Sequence, residues 1–147
     1  MKAWANGSGV TLGDLRGHVV WLRFGVGASL LAGNLPELVR LHQALGDKGL
    51  TIIAIRGNAS LEELDENWSR NYQRSNSVRE VPFRIAIDGD AAADRKGTSP
   101  RRIGATFERY GVVGYPTDIL IDPAGNVLGR PDVYRAKEAI SQMLGIQ

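Results

Sequence analysis

The sequence predicts an α/β fold: a sheet covered by helices on both faces. Two observations predict it. Apolar, β-branched segments alternate with amphipathic segments along the chain, as they do when strands and helices follow one another. The length of 147 residues fits a single domain, 1–147, that buries a sizeable core.

The first half of the chain predicts two buried strands with a helix between them. His18–Phe24 is a near-continuous apolar run, which is typical of a strand buried on both faces. Leu35–Leu45 carries apolar residues at helical spacing, and Gly46 and Gly49 end the helix. Leu50–Arg56 is rich in β-branched residues and predicts the second strand.

The middle of the chain predicts two further helices and a third strand. Ser60–Glu63 reads Ser-Leu-Glu-Glu, a capping box after which a helix is expected. Pro82–Asp88 predicts the strand. Ser99 is an N-cap residue followed by a proline, so a second helix is expected to begin there. That helix runs to Tyr110, and Gly111 ends it.

The C-terminal part predicts a β-hairpin followed by a helix. Thr117–Asp122 and Asn126–Arg130 are the two strands, and Pro123–Gly125 between them has the composition of a tight turn. Asp132 is expected to cap the last helix, which ends at Gly145.

Five of these segments also carry the sequence signature of a known family, in the same order along the chain. They are Leu12–Val20, Leu35–His42, Lys48–Ile55, Tyr110–Thr117 and Ile119–Arg130. Together they resemble the thioredoxin-like redoxins of the TlpA or alkyl-hydroperoxide-reductase type. The resemblance implies a thioredoxin-like fold with a central mixed sheet, and it implies that Pro116 is the family's cis-proline. Family members are often periplasmic or extracytoplasmic thiol-disulfide oxidoreductases.

The chain departs from that family in the residues that carry the chemistry. Where relatives have Trp-Cys-x-x-Cys, the stretch Phe24–Pro36 is one residue shorter and contains no cysteine. Depending on where the gap falls, the two cysteine positions become Ala28 and Leu31, or Ser29 and Ala32. Disulfide exchange and peroxide reduction both begin at a thiolate. Neither register supplies one, so we predict no catalytic residue.

Arg23 marks a second departure from the family. Thioredoxins often carry a buried acid at this position of the core strand, where it assists proton transfer. An arginine stays protonated and cannot act as a general base. We interpret Arg23 as a strand-end charge that reaches solvent or pairs with an acid such as Asp88.

Two functions remain open at this stage. In the first, the chain is a pseudoenzyme that binds an extended polypeptide or a neighbouring domain by strand addition at the former active-site groove. The groove residues would be Gly27, Leu30, Tyr115, Pro116 and Thr117. In the second, the resemblance implies a thiol-disulfide oxidoreductase or peroxiredoxin-like enzyme whose activity is lost or depends on a partner's thiol. Leu30 and Leu31 could equally fill the old site and close it.

The composition argues against several other functions. The chain has 18 basic and 16 acidic residues, a net charge of +2, which is too small an excess to indicate nucleic acid or an anionic membrane. Its apolar runs are shorter than the ~18 residues of a membrane span. The first residues lack the apolar stretch of a signal peptide, and the compartment stays open.

His18 and His42 lack metal-ligand spacing and there is no phosphate-loop pattern, so no metal or cofactor is expected.

Overall fold

A computed structural model describes residues 1, 3–25, 34–57, 81–89 and 105–146 of the protein. These residues form a six-stranded sheet and three α-helices. The strands are β1 (Ala3–Ala5), β2 (Val19–Gly25), β3 (Leu50–Arg56), β4 (Arg84–Ile87), β5 (Thr117–Ile121) and β6 (Val127–Gly129). The helices are α1 (Leu35–Leu45), α2 (Ala105–Arg109) and α3 (Ala136–Met143).

The sheet is mixed, with the strand order β1-β4-β3-β2-β5-β6. The central strands β2, β3 and β4 run parallel to one another, while β1, β5 and β6 pair antiparallel with their neighbours. The α/β class and the mixed sheet expected from the sequence are therefore confirmed.

Side chains alternate across β2 and divide the core into two layers. Val19 and Trp21 point to the face that packs against α1 and α3, whereas Leu22 and Phe24 point to the other face, which packs against α2. All seven residues of β2 are buried. This explains why its sequence is a continuous apolar run rather than an alternating one.

The sequence located most of the described element bounds to within two residues, with two larger differences. Helix α1 and strand β3 have the predicted bounds. Strand β1 was not predicted, because it has only three half-buried residues and gains its place by pairing with β4. The last helix begins at Ala136, later than predicted. Asp132 instead accepts a hydrogen bond from the Tyr134 N–H, 2.9 Å, in the turn that precedes α3.

Three expectations lie outside the described residues. They are the helix after Ser60–Glu63, the N-cap at Ser99, and the segment Gly27–Ala32 that replaces the family's Cys-x-x-Cys.

Candidate functional site

The described part of the candidate site is formed by the end of β2, the start of α1 and the loop before β5. Gly27, Ala28, Ser29, Leu30, Leu31 and Ala32, the predicted counterparts of the redox motif and its neighbours, are outside the described residues. Tyr115, Pro116 and Thr117 are within them. The register places Phe24 opposite Thr117, so the loop before β5 lies beside the end of β2.

Tyr115, Pro116 and Thr117 form a tight loop end with an exposed apex. The peptide bond between Tyr115 and Pro116 is cis, and Pro116 is exposed. Tyr115 is half-buried, with its ring centroid 5.9 Å from that of Phe107. Thr117 is buried, and its hydroxyl donates to the Gly114 carbonyl oxygen at 2.6 Å. The residues on both sides of Pro116 are therefore fixed by contacts, Tyr115 by Phe107 and Thr117 by Gly114.

The main chain of Tyr115 is not paired with any backbone group in the part of the chain that the structure describes. Among the ranges that the structure describes, neither its N–H nor its C=O makes a backbone–backbone hydrogen bond. Strand β5 begins only at Thr117, so its pairing with β2 ends before the loop. An exposed loop with unpaired backbone groups beside a strand is the geometry that strand addition uses.

A buried ion pair lies next to this loop. The Arg23 side chain is completely buried and the Asp118 side chain is 14% exposed. Arg23 Nε donates to Asp118 Oδ1 and Nη2 donates to Oδ2, both at 2.8 Å. The Trp21 indole N–H donates to the same Oδ1 at 2.9 Å. The paired oxygens of Asp118 therefore receive three donors, an arrangement that compensates the burial of both charges.

Asn34 extends the ion pair to the beginning of α1. Its side-chain oxygen accepts a hydrogen bond from Arg23 Nη2 and makes no cap to the helix. The remaining nitrogen, Nη1, is buried and has no hydrogen-bond partner within the described ranges. The guanidinium thus joins β2, β5 and the N-terminus of α1, the three elements that surround the candidate site.

Of the two alternatives for Arg23, pairing with an acid is confirmed and exposure to solvent is wrong, and the example given for the acid is also wrong. Arg23 does not reach solvent, and its acidic partner is Asp118 rather than Asp88. Asp88 is buried at the end of β4, where it accepts hydrogen bonds from the N–H groups of Thr106 and Phe107 at 2.7 and 3.1 Å. The Asp88 carboxylate caps α2 and is not the partner of Arg23.

Sequence reasoning did not find Asp118, Trp21 or Asn34 as parts of the site. One signal could have indicated Asp118. It is the single charged residue in the apolar segment Thr117–Ile121, as Arg23 is in Val19–Gly25. Two isolated opposite charges in strands that a sheet can place side by side are candidates for a cross-strand pair.

The described residues show no arrangement suited to a metal or a membrane. No group of three or more His, Asp or Glu side chains in them could hold a metal ion. None of the helices in the described ranges has the length and apolar character needed to cross a bilayer.

Comparisons with known proteins find similarity to thioredoxin-like proteins. No protein-family profile matches it. It is 28% identical to the thiol-disulfide oxidoreductase ResA of Bacillus thuringiensis over 142 residues, which cover 94% of this chain and 68% of ResA. A solved thioredoxin-like superfamily protein superposes with a TM-score of 0.70 at 18% identity, covering 99% of this chain and 92% of the other. A thiol-disulfide isomerase from Corynebacterium glutamicum gives 0.68 at 19% identity, covering 99% and 93%.

The fold is therefore thioredoxin-like, and the sequence resembles those of thiol-disulfide oxidoreductases, as the five segments indicated. The chain has no cysteine, so this similarity does not extend to a Cys-x-x-Cys motif.

Proposed function

We propose that this thioredoxin-like protein is a non-catalytic redoxin, acting as one domain, that binds an extended polypeptide at the groove beside Pro116. The observation that carries the proposal is the pairing of two features. The chain lacks any sulfur nucleophile, and within the described ranges the backbone N–H and C=O of Tyr115, beside an exposed proline, make no backbone–backbone hydrogen bond.

The absence of cysteine supports the non-catalytic part of the proposal. Thiol-disulfide exchange proceeds through a mixed disulfide that forms when a thiolate attacks. A serine hydroxyl or an alanine methyl group cannot form that intermediate. The loss is qualitative, so no shift of a pKa in this chain restores the reaction.

The geometry around Tyr115 supports the binding part. An extended segment that adds beside the loop gains main-chain hydrogen bonds from Tyr115, and such bonds need no cysteine. The buried pair of Arg23 and Asp118 holds the adjoining strand ends together. A rigid site binds more tightly because less conformational entropy is lost on binding. The segment could belong to a partner protein or to a neighbouring domain.

One observation favours a second candidate function. The sequence is similar to that of ResA, a thiol-disulfide oxidoreductase. A redox role would then need a thiol contributed by the partner, with this chain only positioning the disulfide.

An activity assay separates the two candidates. The purified chain is mixed with dithiothreitol and insulin, or with hydrogen peroxide, and turnover is compared with that of buffer alone. We expect no turnover above buffer in either assay. Thiols of contaminating proteins are blocked first, and the blocking reagent is removed before the assay. Turnover that persists after this treatment would contradict the non-catalytic proposal.

A binding experiment tests the groove. Proteins captured by the intact chain are identified, and short synthetic peptides are made from their sequences. These peptides are titrated into isotope-labelled protein while the amide resonances are followed. We expect the Tyr115 and Thr117 amides to shift, and Tyr115→Asp to abolish binding by placing a charge in the groove. Tyr134→Asp is the matched control, because Tyr134 is an exposed tyrosine in the turn before α3. Equal binding by both variants would overturn the proposal.

A further inference from the structure

A second recess lies on the face of the sheet that packs against α2. Its volume is about 380 Å³, within the range of small-molecule pockets. Its lining residues come from the N-terminal segment, β2, β3, α2 and the residue after α2, and none of them belongs to the proposed groove. They are Met1, Trp4, Val10, Thr11, Leu12, Leu15, Leu22, Ile53, Ile55, Thr106, Arg109 and Tyr110.

The floor of this cavity is apolar. Leu22, Ile53 and Ile55 are each at most 4% exposed and present aliphatic side chains. Tyr110 forms part of the wall, and burial raises the pKa of its hydroxyl. A polar solute would lose hydration here without gaining hydrogen bonds, whereas an alkyl chain would be favoured.

Trp4 forms a wall whose position depends on Gly9. A Cβ atom at Gly9 would lie 2.8 Å from the indole nitrogen of Trp4. An indole ring is rigid, so a side chain at position 9 would force the ring to move. The cavity therefore depends on a close contact that only glycine allows.

The cavity carries one basic side chain at its edge. Arg109 is exposed, lines the cavity, and forms no ion pair with any of the described residues. Guanidinium groups bind carboxylates through two parallel hydrogen bonds. The described residues of the lining include no acidic side chain, so an anion with an apolar tail suits this part of the cavity.

We propose that this cavity binds a small amphipathic carboxylate, with its alkyl chain over Leu22 and Ile55 and its carboxylate on the Arg109 guanidinium. This ligand site is independent of the proposed groove. It gives the protein a small-molecule binding activity that needs neither cysteine nor a polypeptide partner.

The test is a titration of isotope-labelled protein with sodium decanoate below its micelle concentration. We expect saturable shifts of amides that line the cavity, with those of Tyr115 and Thr117 unchanged. Arg109→Gln should weaken binding ~10-fold or more, since a hydrogen bond to a charged group is lost. Arg135→Gln is the matched control, because Arg135 is an exposed arginine next to α3, and it should bind as the wild type does.

Two further measurements separate this site from non-specific binding of an alkyl chain. Decanol, which lacks the carboxylate, should bind the wild type more weakly than decanoate and should be insensitive to Arg109→Gln. Gly9→Ala should weaken both ligands, because it displaces Trp4. If decanoate fails to saturate, shifts residues outside the cavity, or binds Arg109→Gln and the wild type equally, the proposal is wrong.

Discussion

Arg23 and Asp118 lie directly opposite each other on the antiparallel strands β2 and β5, joined by two hydrogen bonds of 2.8 Å. The thioredoxin-like redoxins that this chain resembles often have an acid at the position of Arg23. Here the cation stands on β2 and the acid stands on the neighbouring strand. A buried guanidinium is tolerated only with such a partner, because desolvation of an unpaired charge costs several kcal/mol.

Asp118→Ala should strongly destabilise the protein. The substitution leaves the Arg23 guanidinium buried without its counter-ion and removes the acceptor of the Trp21 indole N–H. We expect the free energy of unfolding to fall by roughly 3–5 kcal/mol. Urea unfolding followed by tryptophan fluorescence measures it.

The double variant Arg23→Met with Asp118→Leu is the control for that experiment. It removes both charges and keeps apolar volume, so it should be more stable than Asp118→Ala alone. If the single and double variants were equally destabilised, the pair would not be responsible for the loss.

The ion pair is an example of a contact that the sequence did not predict. Helical spacing with its glycine stop predicted α1, and β-branched content predicted β3, because these signals lie within each segment. The partner of Arg23 depends on which strand lies beside β2 and in which register. Those are properties of the whole sheet. Strand β1 was missed for the same reason, since it is defined by its pairing with β4.

The residues of the candidate site also differ in whether the sequence could predict them. The motif Tyr115-Pro116-Thr117 was located from the sequence because it follows the family's order of segments. Its neighbours Asp118 and Asn34 were not, since they reach Arg23 from two other elements, β5 and the start of α1. Local sequence predicts the secondary structure of a segment, but not its tertiary contacts.

Asp88→Ala should unfold the beginning of α2 and destabilise the protein. The Asp88 carboxylate accepts the N–H groups of Thr106 and Phe107 and the Thr106 hydroxyl, at 2.7–3.1 Å. Because Asp88 is 1% exposed, water cannot replace it, and we expect a loss of about 2 kcal/mol or more. Thermal unfolding measures it. Asp132→Ala, which removes an exposed turn acceptor, should lower stability less, and the reverse order would contradict this account.

Gly49→Ala should cost about 2 kcal/mol. Gly49 has φ = +118°, a conformation that side chains rarely adopt, and a Cβ atom there would lie 2.8 Å from Leu144 Cδ2. Backbone strain and a clash with the segment after α3 therefore add. Gly114→Ala is the matched control, because no described residue lies within 4 Å of its added Cβ, and it should change stability by under ~0.5 kcal/mol. Equal melting temperatures for the two variants would refute the prediction.

His42 should make the protein less stable in mild acid. It lies on α1 with its ring centroid 6.0 Å from that of Phe83, and its Nδ1 atom is buried without a partner among the described residues. Burial lowers the pKa of His42 below its ordinary value of 6.5. The unfolded chain therefore binds the proton more readily than the folded one, so stability is complete above about pH 6.5 and falls as the pH drops through the lowered pKa.

Comparison of variants isolates this effect from the titration of carboxylates at lower pH. Urea unfolding of the wild type, His42→Gln and His18→Gln is measured at several pH values from about 7.5 to 5. His18→Gln, at an exposed position, should keep the wild-type dependence on pH. His42→Gln should flatten it, because the group that takes up the proton on unfolding is gone. If the His42→Gln curve parallels that of the wild type over this range, burial of His42 does not control the acid sensitivity.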